Sequence, residues 1–463
     1  MMEVDSGVPY PHVSWLPHEL ALRIFRLVHW TDLLSAKGVS KLWHNLASEP
    51  ALWTHWQLSL VPGAGPSLPY LRLESLEHAL SLSAAYPLTI ELSNVLPAYC
   101  PLVQDLLSGE MYRMQTLRVH FLVFQGTATT DSAALENVGE FFECLCYGAP
   151  QLRVLELRAT GLYTQLELPF DVFGSEPGVL RELSLGDDLR ISIAEPTPAL
   201  TGLTRASGSF DQMQLDVLAR DAPHLEELQL HAVPYTQAFI PLTSLRAFTQ
   251  LHTVEFTTNS NFSALVADFA AIRHVRFLCP IQDEDVLRLR DTLHGLPIEI
   301  RILGQQVTLV DSRGYTRSCL LNADARGKAG LVIASLTRGV ERVALASAEW
   351  LALGFASLPS VLEITVYVDE SFHFLAPQDE RPSLPALRLV RFASPFPASQ
   401  AIIVRAGALQ AFLQYLHAPA LDTILLHTSI ELYEGLGSVE TWPLHSSGRR
   451  LAYDSAQARD GLA

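Results

Sequence analysis

The segment LRVLEL, residues 152–157, decides how most of this chain reads. It runs apolar, two residues, apolar, one residue, apolar. The last two apolar residues flank one polar residue, so they share one face of a short strand. The leading leucine enters from the preceding turn. The pattern recurs as MQTLRV (114–119), LRELSL (180–185), LEELQL (225–230), LHTVEF (251–256) and IRHVRF (272–277). It returns as VERVAL (340–345), VLEITV (361–366), LRLVRF (387–392) and LDTILL (421–426). Ala149-Pro150, Ala222-Pro223 and Ala418-Pro419 each precede a unit. PLTIEL from Pro87 reads as an early strand of the series, with degenerate copies expected near Leu200 and across LPIEIRIL from Leu296.

One such unit cannot bury its face alone, whereas a stack of them can. Successive units start 38, 28, 45, 26, 21, 68, 21, 26 and 34 residues apart. The short intervals match the roughly 20 to 29 residues of a leucine-rich repeat, which the pattern resembles. Helix-like stretches lie between units, at 137–147 and 405–416. The resemblance implies an α/β fold, an irregular solenoid or horseshoe. In that family Asn often stands three residues after the last apolar position. Here only Asn259 keeps it, so variable loops are expected. The simpler alternative is an α/β domain of parallel strands without a true repeat. Glu156, Glu182, Glu227, Gln229 and Glu255 are strand positions that would face a bound target.

Before this array the chain has another character. Trp15, Trp30, Trp43, Trp53 and Trp56 crowd its start, and residues 16–60 carry four basic and three acidic side chains within a chain of net charge −17. LPHELALRIFRLVHWTDLLSAKGVSKLWHNLASEPALW, residues 16–53, reads as consecutive short helices. Leu16-Pro17 opens the first, with proline at a position where no N–H is needed. Leu20, Ile24, Leu27 and Val28 form one apolar stripe, with Leu22 and Phe25 off it. Thr31 or Asp32 is expected to cap the second helix and Ser40 the third. Pro50 stops the third, and Leu52, Trp53 and Trp56 begin a fourth turn. A unit this small with apolar residues on two faces either caps the next domain or buries one face against a partner.

This run resembles the F-box family at Leu16, Pro17, Glu19, Leu20, Ile24, Phe25, Asp32, Leu33, Leu34, Val39, Ser40, Lys41, Trp43, Leu46, Ala47, Leu52 and Trp53. The resemblance implies a three-helix unit that docks on a Skp-type adaptor and through it on a cullin. Leu16, Pro17, Leu20, Ile24, Phe25, Leu33, Leu34 and Val39 would meet the adaptor or support that face, and Trp43 would anchor the unit's own core. His29 departs from the family, many of whose members carry an acid there. Leu27-Val28 is a smaller pair than the aromatic–leucine pair often found. The whole then reads as a tail (1–13), an F-box (14–60), a Pro/Gly-rich linker (61–70), a repeat region (71–434) and a loose or disordered C-terminal tail (435–463). An F-box ahead of so divergent an array resembles the fungal F-box proteins with weak leucine-rich repeats.

The acidic balance argues against nucleic-acid or anionic-membrane partners, which need a basic surface. No apolar run is long enough to span a bilayer. The N-terminus lacks a hydrophobic signal core. The five cysteines are scattered and odd in number, unlike a secreted disulfide framework, so the cytoplasm or nucleus is expected. Cys144 and Cys146 form a lone C-x-C without a second pair, and read as structural. The chain carries no nucleophile elbow, phosphate loop or H-E-x-x-H. Asp283-Glu284-Asp285 and Asp369-Glu370 read as solvated loop or helix-start acids. The expected function is a non-catalytic, cofactor-free adaptor that brings an unidentified target protein to a ubiquitin ligase. A binding scaffold unconnected to ubiquitination is the alternative.

Overall fold

The computed structural model describes residues 16–61, 68–123, 128–161, 165–175, 180–231, 242–257, 266–281, 283–321, 339–346, 358–368, 382–394, 402–416, 418–427, 430–433 and 450–454. They form two compact units, divided near residue 225.

The first unit opens with three helices, α1 (His18–Phe25), α2 (Trp30–Ala36) and α3 (Lys41–Ala47). Strands β1 (His55–Ser59), β2 (Leu88–Val95), β3 (Met114–Leu122), β4 (Val154–Thr160), β5 (Leu166–Glu167), β6 (Glu182–Leu185), β7 (Leu189–Arg190) and β8 (Arg205–Gly208) follow. They pair in parallel in the order β1-β2-β3-β4-β6-β8, with β5 and β7 forming a small pair of their own. The register aligns the apolar positions in two rows. One runs Trp56, Ile90, Leu117, Leu155, Leu183, Ala206; the other runs Leu58, Leu92, Val119, Leu157, Leu185. Every member is buried. Helices α4 (Leu68–Leu82), α5 (Cys100–Ser108), α6 (Ala128–Phe141) and α7 (Gln212–Asp221) occupy connections between strands.

The second unit continues the same device. Its strands are β9 (Glu227–Leu230), β10 (Thr253–Phe256), β11 (His274–Ile281), β12 (Pro297–Leu303), β13 (Gln306–Asp311), β14 (Thr316–Leu321), β15 (Arg342–Ala346), β16 (Glu363–Tyr367), β17 (Leu389–Ala393), β18 (Ile402–Arg405), β19 (Thr423–His427), β20 (Ile430–Tyr433) and β21 (Arg450–Asp454). Helices α8 (Asp283–Asp291) and α9 (Ala406–Tyr415) lie among them. The sheet order is β9-β10-β11-β14-β13-β12-β15-β16-β17-β19-β21, and β18 pairs with β20. All ten repeat units of the sequence become strands, and the paired apolar residues of each are buried.

The proline lead-ins have a physical role. The amides of Leu152, Leu225 and Leu421 donate to the carbonyls of Ala149, Ala222 and Ala418. Each is a β-turn with proline second, where its fixed φ is pre-set. Leu358-Pro359 and Leu384-Pro385 build the same turn before β16 and β17.

Three expectations need correction. LPIEIRIL is a strand, but it pairs antiparallel with β13, which pairs antiparallel with β14. These three strands form a meander inside an otherwise parallel sheet. Gly304, at φ +62, turns the chain between β12 and β13 as a side chain there would resist. Second, Arg450–Asp454, within the expected C-terminal tail, is a strand paired in parallel with β19. Third, Trp56 belongs to a strand, and the turn before it is a 3-10 turn at Pro50–Leu52. The sheet thus begins inside the expected N-terminal unit. Asn259, Asp369 and Glu370 lie outside the described residues, as does most of the expected linker.

Two arginines lie fully buried in the core. Arg317 on β14 is opposite Val275 and fully buried. Its guanidinium donates to the carbonyls of Phe269, Ile272 and Thr292 at 2.8, 3.0 and 3.0 Å and to the Thr292 hydroxyl at 2.7 Å. Burial pushes its pKa down to about 10, so it stays charged at neutral pH. Arg113 similarly donates to Leu80 and Tyr86 carbonyls, the Ser83 hydroxyl and Glu110. Replacing Arg317 with Met strands several carbonyls without donors. We predict a loss of about 3 kcal/mol or more in urea unfolding, against less than about 1 kcal/mol for the solvent-facing Arg118→Gln.

Candidate functional site

The small core of the helical unit determines which residues remain outside it. Ala21 and Phe25 from α1, Leu33 and Ala36 from α2, and Leu46 and Ala47 from α3 are buried. The Phe25 and Trp43 rings meet edge to face at 5.4 Å. Ser40 caps α3 by accepting the Trp43 amide at 3.2 Å. Trp53 donates to the Ala47 carbonyl at 2.7 Å, and Trp56 to the Trp53 carbonyl at 2.9 Å. Trp53 stacks on Trp56, which also lies 5.5 Å from Trp30. Lys37 stands over Trp53 at 5.0 Å, where burial lowers its pKa. The tryptophan cluster fastens the helices to β1, and hence to the sheet.

Phe25 and Leu33 are buried, Leu16 and Leu34 half-buried, and Pro17, Leu20, Ile24 and Val39 exposed. Leu20 is 44 % exposed, Ile24 52 % and Val39 63 %. The expected stripe Leu20, Ile24, Leu27, Val28 is not one face of a helix, because α1 ends at Phe25: Leu20, Ile24 and Leu27 are exposed, Leu27 at 89 %, while Val28 is half-buried. Leu42 also stands open. Neither Leu27 nor Leu42 was among the residues expected to meet a partner. Five exposed apolar side chains on so small a unit are candidates for a contact surface.

His29 was expected at the end of the first helix, and Thr31 or Asp32 as the second cap. Instead α1 ends at Phe25 and His29 itself caps α2. Its Nδ1 accepts the Thr31 amide at 3.4 Å and lies 2.8 Å from the Thr31 hydroxyl.

A groove of about 650 Å³ lies between these helices and the sheet, lined by residues including Phe25, Arg26, His29, Trp30, His55 and Trp56.

The polar strand positions lie opposite the buried rows. Arg118 bridges Glu91 on one neighbouring strand and Glu156 on the other, the latter at 3.3 Å, and Arg158 adds to Glu156 at 2.7 Å. Glu182 meets Arg205 at 3.4 Å. In the second unit Glu255 pairs with Arg276 at 3.1 Å, Glu299 with Arg342 at 3.2 Å and Glu363 with Arg391 at 3.4 Å. Much of the charge expected to face a target is thus matched between strands.

Burial raises the thiols: Cys100 and Cys319 to about 12, Cys146 to about 11, and Cys144 further. None is poised as a thiolate nucleophile. Among the described residues no group of three or more His, Cys, Asp or Glu is placed to hold a metal ion. No described helix is long and apolar enough to cross a membrane.

Residues 13–58 match the F-box-like family model. Comparison with curated proteins returned no match.

Two outcomes follow from these environments. His29→Ala should lose about 1 kcal/mol in thermal unfolding, whereas His29→Asp, a better cap, should hold or gain stability. Cys146 should alkylate about 100-fold more slowly at neutral pH than a free thiol, and faster only as the pH approaches 11.

Proposed function

We propose that this chain is the substrate-recognition subunit of a Skp–cullin–F-box ubiquitin ligase. The observation that carries the reading is the F-box-like match over residues 13–58, together with the exposed apolar face on that same unit. F-box-like units are docking modules for Skp-type adaptors. In this reading Leu20, Ile24 and Val39, with Leu27 and Leu42 added, contact the adaptor. Pro17, Leu16 and Leu34 border the contact, and Phe25 and Leu33 hold the face from behind. A cullin joins through the adaptor.

The repeat region, residues 71–434, takes the target protein in this reading as an array of divergent leucine-rich-repeat-like units. Its support is the one-sided sheet: strands alternate buried and half-exposed positions although they pair in parallel. Parallel strands covered on both faces read as continuous apolar runs, whereas these leave one face open. The chain itself would be non-catalytic. It would act by raising the effective concentration of the target near a ubiquitin-conjugating enzyme. The reading places it in the cytoplasm or nucleus, where such ligases work.

The test is co-purification with a Skp-type adaptor. A stoichiometric complex at micromolar concentration is expected from the unaltered chain. Leu20→Ala/Ile24→Ala should weaken it by about 30-fold or more while leaving the melting curve unchanged. No complex with the unaltered chain would overturn the proposal.

A further inference from the structure

The groove beside the helical unit differs in charge from the chain around it. Arg26, His29 and His55 line it, and none of its lining residues is acidic, although the chain carries −17 overall. Trp30 and Tyr86 supply apolar wall. None of the exposed apolar residues Leu20, Ile24, Leu27, Val39 and Leu42 lines it; of the residues assigned to the Skp-type adaptor face it shares only Phe25 and Leu33, which support that face from behind.

The groove also runs along a strand edge that is open at His55 and Gln57, while further along Arg72 donates to the Ser59 carbonyl. β1 pairs with β2 on one side. The Thr89 amide donates to the Thr54 carbonyl and the Leu60 amide to the Ser93 carbonyl. These two bonds fix the phase of the ladder: residues 54, 56, 58 and 60 of the chain face β2. The main-chain N–H and C=O groups of His55 and Gln57 therefore point away from it. Among the described residues no backbone group meets them, and both side chains are exposed. His55 and Gln57 also line the groove. An unpaired edge of this kind is a template for another strand.

We propose that the groove receives an extended acidic segment of a partner protein, which adds to β1 as a further strand. Main-chain hydrogen bonds to His55 and Gln57 would hold the segment in register. Its carboxylates would lie near Arg26, His29 and His55, and an apolar side chain would rest against Trp30 and Tyr86. Strand addition supplies affinity through the backbone, and the groove supplies selectivity through alternate side chains. The charge contrast selects an acidic segment and disfavours a basic one.

The test selects short random peptides displayed on phage against the full chain, then measures the resynthesised winners by fluorescence anisotropy. Enrichment of peptides alternating acidic and apolar residues is expected. Arg26→Glu/His55→Glu, which alters two exposed side chains, should weaken a winner by about tenfold or more, as should raised salt. Gln57→Pro, which removes one outward N–H, should do the same without disturbing the β2 ladder. If that variant fails to fold, N-methylation of alternate amides in the peptide tests the strand contact from the other side. Neither substitution should alter co-purification with the Skp-type adaptor, so this proposal and the ligase proposal fail separately. Absence of acidic enrichment overturns the inference. So does binding that is indifferent both to the charge reversal and to the blocked backbone.

Discussion

The architecture depends on alignment between parallel strands. Most strands place two apolar residues, separated by one residue, opposite the same two positions of a neighbour. A slip of one residue would turn every buried side chain outward. Burying a leucine-sized side chain contributes about 2 kcal/mol, so the correct register is favoured several times over in each strand. The β-turns built on proline set the entry point of many strands and so defend that register. The charge pairs on the opposite face agree with it, because Glu91, Arg118 and Glu156 occupy adjacent register positions. Such exposed pairs add little energy, but they penalise the wrong alignment.

The same alignment explains how the helical unit is attached. Trp56 and Leu58 lie within the stretch that matches the F-box-like model, yet they are the first members of the two buried rows. The helices are consequently joined to the sheet without a free hinge between Trp53 and β1. One side of the unit is spent on its own core and on the tryptophan cluster. What remains exposed includes Leu20, Ile24, Leu27, Val39 and Leu42, together with the groove lined by Arg26, His29 and His55.

The rows were legible in the sequence because apolar spacing encodes a face directly. On α1 the same spacing marked Leu20 and Ile24, which are exposed, but it ran on to Leu27 and Val28 beyond the end of the helix. The reversal of β13 was not legible, since alternation is identical in parallel and antiparallel pairs. A signal for the meander was nevertheless present: Gly304 and Gly314, both at positive φ, stand in the two turns that bound β13. The buried arginines could not be read, because an isolated arginine looks like surface, and only the carbonyls gathered around Arg317 make it an interior residue. His29 as a cap was hidden because histidine is not among the usual capping residues. The groove arises from segments some thirty residues apart, brought together by the tryptophan cluster, and no local pattern announces it.

The meander has a further consequence for how the chain assembles. The neighbour of β11 in the sheet is β14, while β12, made earlier, lies three places along and supports β15. Growth of the second unit therefore cannot proceed strand by strand in order of synthesis. β12 has no settled place until β13 and β14 have been made and folded back, and β15 onward must wait for β12. The contacts β13–β12 and β14–β13 are local and fast to form, but docking them on β11 closes a loop of some forty residues. In this strand order residues 297–321 must therefore be in place before β15 and the strands after it can find their neighbours.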